Sequence, residues 1–506
     1  MCVYKISQLK ELLAKSILLT LGGKLMNKQD VRNIIQELDE VFTDSKYTIL
    51  GAHYIWPFVR YNILSNIIKH KYHLLTPHGA DGKVRTVKNS LKYTLSLLQK
   101  NPYKIDRSYK LVFFTENVDR TFQKDGKYFN RVHDYFALLR AEETVEIENS
   151  WQMYYKEPIY FPNLYSHDYV RAVYYIKSKL FGHLNRRDTE VIQNFMTELR
   201  KISNSIGVPL ETDKTHHILN SSTKRIDYAM QCYKRLFEKI QPKIIFLNCA
   251  SYGGMNAVII KAAKQMGIKV GEFQHGVITK LHPAYNYGAA VFNNEGYKEY
   301  LPDYLLTYGD FWNEQVTIPS KKVTIGNPHF WFNYNSFKTN AAVKTKGEKT
   351  KKILIVSQGT VTDINVDLAK KLSGMLNSNY KIVFRLHPGE VAFKERYQEL
   401  LDYKSIEVNS SGDIYELIHS SDYVVSVYST TIFEAASFGK PVYIYRHPLS
   451  ELNIPENLGL WFSDAEELLE LIKNDKRADN IYDLNYFWNE NWKENYLSFL
   501  ERELGI

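Results

Sequence analysis

From residue 353 onward the chain alternates short β-forming apolar runs with helical stretches, and that alternation leaves few folds open. Strands are expected at 353–357, 381–386, 405–408, 423–428 and 441–445, and helices at 364–376, 391–401, 413–419, 432–438 and 465–472. Strands separated by helices in this way build a parallel sheet covered on both faces. The same texture runs through the first half, with strands expected at 110–115, 243–248, 268–273, 303–307 and 322–325 and a helix at 255–265. Between the blocks, residues 333–352 are polar, basic and poor in apolar side chains, which predicts a linker. At 506 residues the chain is too long for one ordinary core. The expected class is therefore α/β, with two Rossmann-like domains at 106–332 and 353–480 facing a cleft. Residues 1–105 carry helical spacing at 7–19, 27–42, 56–72 and 87–99 and predict a helical N-terminal extension. The stretch 150–215 is treated as an insertion with its own helices.

Charge and cysteine content narrow the function classes. Residues 1–105 hold 16 Lys and Arg against 7 Asp and Glu, whereas the rest of the chain is balanced. Such a segment suits an anionic membrane surface or an anionic polymer, or is simply a solvated basic face. No nucleic-acid module accompanies it, so nucleic acid is not an expected partner. The three cysteines, Cys2, Cys232 and Cys249, are scattered, which speaks against a disulfide scaffold or a structural zinc site and suits a reducing compartment. The apolar patch at 17–19 is far shorter than the ~20 residues of a membrane span, and no small-residue cleavage site follows it. A cytoplasmic chain is expected, peripheral at the inner face of the membrane.

Ligands in open parallel sheets bind beyond the carboxyl ends of strands. Three such loops in the second half carry suitable residues. In Gln358-Gly359-Thr360 the glycine allows close backbone approach and the threonine can donate to an oxyanion. In His387-Pro388-Gly389 a rigid turn holds a histidine that can serve a phosphate or pack beneath the next helix. Ser429-Thr430-Thr431 opens a helix, where free N–H groups favour an anion. Thr431 and Glu434 also have capping-box spacing, so Glu434 is either a cap partner or an acceptor for a ribose hydroxyl. In the first half Gln274-His275-Gly276 ends a strand, with Lys280 and His282 behind it. Tyr252-Gly253 follows Cys249, and Glu116, Asp119 and Arg120 follow the first strand. His275 is open to three roles: general base, positioning group or packing residue. No DxD-type carboxylate pair stands at a legible strand end to bind a metal–diphosphate, so no metal is expected.

The runs 413–418, 421–434 and 439–442, with His387-Pro388 one strand–helix unit earlier, resemble the donor half of GT-B glycosyltransferases. They are most similar to bacterial capsule and lipopolysaccharide glycosyltransferases and to the CDP-glycerol glycerophosphotransferases of teichoic acid synthesis. Bacterial sialyl- and polysialyltransferases share the His-Pro and Ser-Ser/Thr elements, but their acidic base motif is missing here, Asn294-Glu295-Gly296 being the nearest run. Glu434 stands where the glycerophosphotransferases usually carry Asp. The resemblance spans about residues 240–450. It implies a GT-B fold, with the helix expected at 485–504 returning to the first domain. It also implies metal-independent glycosyl transfer from a nucleotide-sugar donor to a growing surface glycan or lipid-linked acceptor. Gly359, Thr360, His387, Pro388, Ser429, Thr430, Thr431 and Glu434 would then hold the donor. His275 and His387 would be catalytic, and Arg120, Tyr252, Gly253, Gln274, Lys280 and His282 would face the acceptor. No cofactor is implied beyond the donor itself. Polyol-phosphate transfer from a CDP-activated donor is the alternative, followed by a sugar-nucleotide epimerase and a non-catalytic glycan-binding scaffold.

Overall fold

The computed structural model describes residues 28–74, 87–120, 122–150, 153–340, 350–478 and 483–506. Two all-parallel sheets form the framework. The first contains β1 (Leu111–Glu116), β2 (Thr144–Asn149), β3 (Leu164–Ser166), β4 (Ile244–Leu247), β5 (Lys269–Phe273), β6 (Tyr304–Thr307) and β7 (Lys321–Thr324), in the order β7-β6-β5-β4-β1-β2-β3. The second contains β8 (Lys351–Val356), β9 (Tyr380–Arg385), β10 (Ile406–Asn409), β11 (Tyr423–Ser426), β12 (Val442–Tyr445) and β13 (Leu460–Phe462), in the order β10-β9-β8-β11-β12-β13. Both contain the 3-2-1-4-5-6 order of doubly wound sheets, which defines two Rossmann-like halves in a GT-B arrangement. The central strands are wholly apolar and buried, as in Ile244–Leu247, because helices cover both faces.

β2 was not anticipated, because its Thr-Val-Glu-Ile-Glu-Asn sequence places Glu146 and Glu148 inside the protein. Arg120 offsets their desolvation by pairing with Glu146, Glu148 and, at 3.1 Å, Asp134, all four side chains being fully enclosed. β3 lies within the supposed insertion at 150–215, which is instead part of the first half. Its helices His167–Phe181 and Arg186–Ile206 pack on Thr212–Ile240 over the sheet.

The N-terminal region is likewise no separate extension among the described residues. Helices Lys28–Phe42 and Trp56–Lys71 are built into the first half, with Phe42 4.4 Å from Phe195 between ring centroids. Buried Arg60 pairs with Asp39 at 2.7 Å and donates to the Asn286 carbonyl at 2.6 Å. Helix Val87–Gln99 matches its expected span, whereas the helix expected at 7–19 lies outside the described residues. The expected linker begins as helix Pro328–Asn340, which packs on the second half through Phe337 and His419 at 4.6 Å. Helix Trp492–Leu504 packs on the first half, Tyr496 lying 4.9 Å from Phe136 and Phe499 5.0 Å from Tyr304. No helix among the described residues is long and apolar enough to cross a membrane.

Candidate active site

The strand order reverses between β1 and β4 in one half and between β8 and β11 in the other, and the crevice at such a switch point is where ligands bind. The loops there carry most of the expected residues. In the second half, His387 caps the 3-10 run Pro388–Asp402. Its Nδ1 accepts from the Gly389 N–H at 3.1 Å, which leaves the proton on Nε2 of the neutral ring. Desolvation lowers the His387 pKa, which favours the neutral ring with its Nε2–H. Glu390 locks this turn: Oε2 accepts from the His387 N–H at 2.8 Å, and Oε1 accepts from Ser357 at 3.1 Å. A Cβ on Gly359 would stand 3.3 Å from Glu390, so the Gly359 loop fits closely over that lock. The Thr360 hydroxyl is bonded to that of Tyr428.

Ser429, not Thr431, caps helix Thr430–Ser437: its Oγ accepts from the Thr431 N–H at 3.2 Å. The capping box considered for Thr431 and Glu434 therefore does not form. Glu434 instead accepts from the Tyr415 hydroxyl at 2.9 Å, and burial raises its pKa. Thr431 is buried, while Thr430 and Glu434 are half-exposed.

In the first half His275 sits with Nε2 3.6 Å from Cys249 Sγ. Burial brings its pKa down to about 4, partly offset by the Phe273 backbone and reinforced by Arg131, so the ring is neutral near pH 7. Tyr252 bonds its hydroxyl to His282 Nε2 at 3.2 Å, and its ring lies 5.9 Å from that of His275. Tyr61, from the N-terminal helices, lies 4.4 Å from Tyr252 and braces this wall. Lys280 is exposed.

Three expected acceptor residues have other work. Arg120 is enclosed by its carboxylates and cannot reach a ligand. Buried Gln274 donates to the Gly276 carbonyl at 2.9 Å and accepts from the Tyr308 N–H at 3.0 Å, which shapes the His275 loop. Gly253 has φ +74°, and a Cβ there would lie 2.0 Å from the Pro57 carbonyl, so its small size serves the docking of helix Trp56–Lys71.

One functional candidate was not picked out from the sequence. Arg131 is solvent-accessible yet set between the halves, its charge felt by Tyr308 and Asp119 on one side and by Tyr415 and Glu434 on the other. It also lowers the pKa of His275, His329 and His387. Its loop is pinned: Asn130 Oδ1 accepts from the Val132 N–H at 2.9 Å, and the Asn130 N–H donates to Asp134, which Arg120 holds. Asp119, noted from the sequence at the end of the first strand, accepts from Asn248 at 2.9 Å and is raised by burial to about 6. An arginine after an asparagine in a loop gives no sequence signal, since only the fold brings it to the other half.

A family model described as CDP-glycerol:poly(glycerophosphate) glycerophosphotransferase matches residues 351–453, which hold β8 to β12. No curated protein sequence matches the chain. Among solved structures, the UDP-GlcNAc 2-epimerase from Neisseria meningitidis bound to UDP-GlcNAc is similar at 12% identity and TM-score 0.44, over 77% of this chain and 99% of that one. The wall teichoic acid polymerase TagF, solved as a variant with CDPG, is similar at 12% identity and TM-score 0.37, over 82% of this chain and 92% of that one.

Proposed function

We propose that the protein is a transferase that moves a glycosyl unit from a nucleotide-sugar donor onto a hydroxyl of a growing bacterial surface glycan, with no metal in the reaction. What supports this is geometry at the second half's switch point, where the Glu390-locked His387 turn and the Ser429-capped helix stand at the strand ends on either side of β8, with Arg131 of the first half near enough to act on His387 and Glu434 through its charge. A diphosphate seated there would meet Arg131, the His387 Nε2–H and the N–H groups at the Ser429-capped helix. That is a preorganised cation with hydrogen-bond donors where the leaving phosphate develops negative charge. Gly359, Thr360 and Pro388 would shape the phosphate loop, and Glu434, held by Tyr415, would accept a ribose hydroxyl.

In the reaction the bond between the anomeric carbon and the donor phosphate oxygen breaks, and the acceptor oxygen bonds to that carbon. Asp119 takes the acceptor proton, since a carboxylate titrating near 6 suits general-base work close to neutrality. Neutral His275 orients the acceptor alongside Tyr252, His282 and Lys280. The basic N-terminal residues would keep the enzyme at an anionic inner-membrane surface near lipid-linked acceptors, which co-sedimentation with anionic but not neutral vesicles tests.

The match over residues 351–453 favours a second reading, transfer of a polyol phosphate from a CDP-activated donor, in which a P–O bond breaks and forms instead. Thermal unfolding with CMP, CDP, UDP, GDP and dTDP, each with magnesium or EDTA, tests the donor site. At about 100 times Kd a ligand stabilises by ~2.7 kcal/mol. A shift with one base that EDTA leaves intact supports the proposal, and no shift with any of them defeats it. Product mass separates the two readings, because a hexose adds a neutral unit and glycerol phosphate an acidic one.

A further inference from the structure

A cavity of about 540 Å³ opens between the halves on the side of β6 and β12, within the ~300–1,000 Å³ of small-molecule sites. Lys280 and Glu314 line it from the first half, and Arg446, Glu451, Glu456 and Trp461 from the second. Phe311, which lines the cavity, packs its ring in the core 5.5 Å from Phe433 of the Ser429-capped helix.

The lining chemistry is selective. The Trp461 indole is half-buried and its ring is fixed, because Nε1–H donates to the Glu456 carbonyl at 2.8 Å. The Arg446 guanidinium lies over that ring at 5.6 Å and 4.0 Å from Glu451. Glu314 accepts from the Tyr486 hydroxyl at 2.7 Å. Three carboxylates thus face two cations, and a polyanionic chain would enter against like charge with too few cations to pair it. An uncharged saccharide meets both donors and acceptors for its hydroxyls, beside an indole of which Arg446 covers one face.

We infer that this cavity seats the uncharged sugar units of the acceptor that lie next to the reacting hydroxyl. The inference rests on the transferase reading and deepens it, choosing a neutral glycan over a polyol-phosphate chain as acceptor. The test incubates labelled protein, with and without the stabilising nucleotide, on an array of neutral hexose and N-acetylhexosamine oligosaccharides and glycerol phosphate oligomers. Retention on neutral members is expected, weakened at least tenfold by Trp461→Ala and severalfold by Lys280→Ala, a change at an exposed side chain that leaves the fold alone. Nucleotide-induced stabilisation should survive both substitutions. Retention only on glycerol phosphate oligomers, no retention at all, or retention indifferent to both substitutions overturns the inference. In those cases intact nucleotide stabilisation leaves the donor site standing, whereas its absence in the unaltered protein defeats the transferase reading separately.

Discussion

Arg131 and Glu434 belong to different halves of the molecule, and the charge of each moves the other's ionisation toward the charged form. Their placement makes Arg131→Ala the most informative single change. We expect turnover to fall roughly 10²–10³-fold, as for the loss of one preorganised charge donor. Removing the cation should also raise the ring pKa values of His275 and His387, which histidine-selective NMR titration would read. Unmoved rings would place Arg131 outside the site.

The neutral His387 donor should matter as much. His387→Ala is predicted to lower turnover by about 10²–10³-fold, with a stability loss of only about 1 kcal/mol from the missing cap on the Gly389 N–H. Near-normal turnover would remove it from the chemistry.

The pH profile separates two candidate bases. With Asp119 as base, activity declines as pH falls through about 6, and that limb disappears in Asp119→Asn but persists in Glu116→Gln. A limb near 4 would return the role to His275.

Stability carries its own pH signature through Glu272, which is fully enclosed and raised by burial to about 7 despite donors from Ser251 and Tyr285. The folded state holds this proton more tightly than the unfolded chain. Its contribution is therefore complete below about pH 4.5 and is lost as pH climbs toward 7, by at most on the order of 3 kcal/mol. Chemical denaturation across that window should show a flatter dependence in Glu272→Gln. An unchanged slope would mean that another group sets it.

Gly253→Ala should destabilise by roughly 1–3 kcal/mol, through strain at positive φ and collision with the Pro57 carbonyl. Denaturant midpoints measure this, and a neutral result would show that helix Trp56–Lys71 is loosely docked.

The apolar strands and the helix Met255–Gln265 were legible because local periodicity and burial agree there. β2 was not, since Glu146 and Glu148 read as surface residues until Arg120 is seen among them. That same partnership took Arg120 away from the acceptor wall. The His387 turn and the Ser429 cap follow local rules and could be found from their motifs. Asp119 follows the strand-end rule as well, whereas Arg131 owes its position to contacts between distant segments, which no local pattern encodes.

The chain passes from one half to the other twice, after β7 and again before helix Leu484–Phe487, and the two passages are laced together. Trp331 donates to the Trp488 carbonyl at 2.9 Å, and Gly326, at φ +98°, lies against the Asn489 backbone. Trp488 in turn donates to Ser437 at 2.9 Å. Two threads bound side by side act as one tie between the halves: a change at Trp488 would loosen both passages at once, because it is the residue that each of these bonds runs through or lies next to.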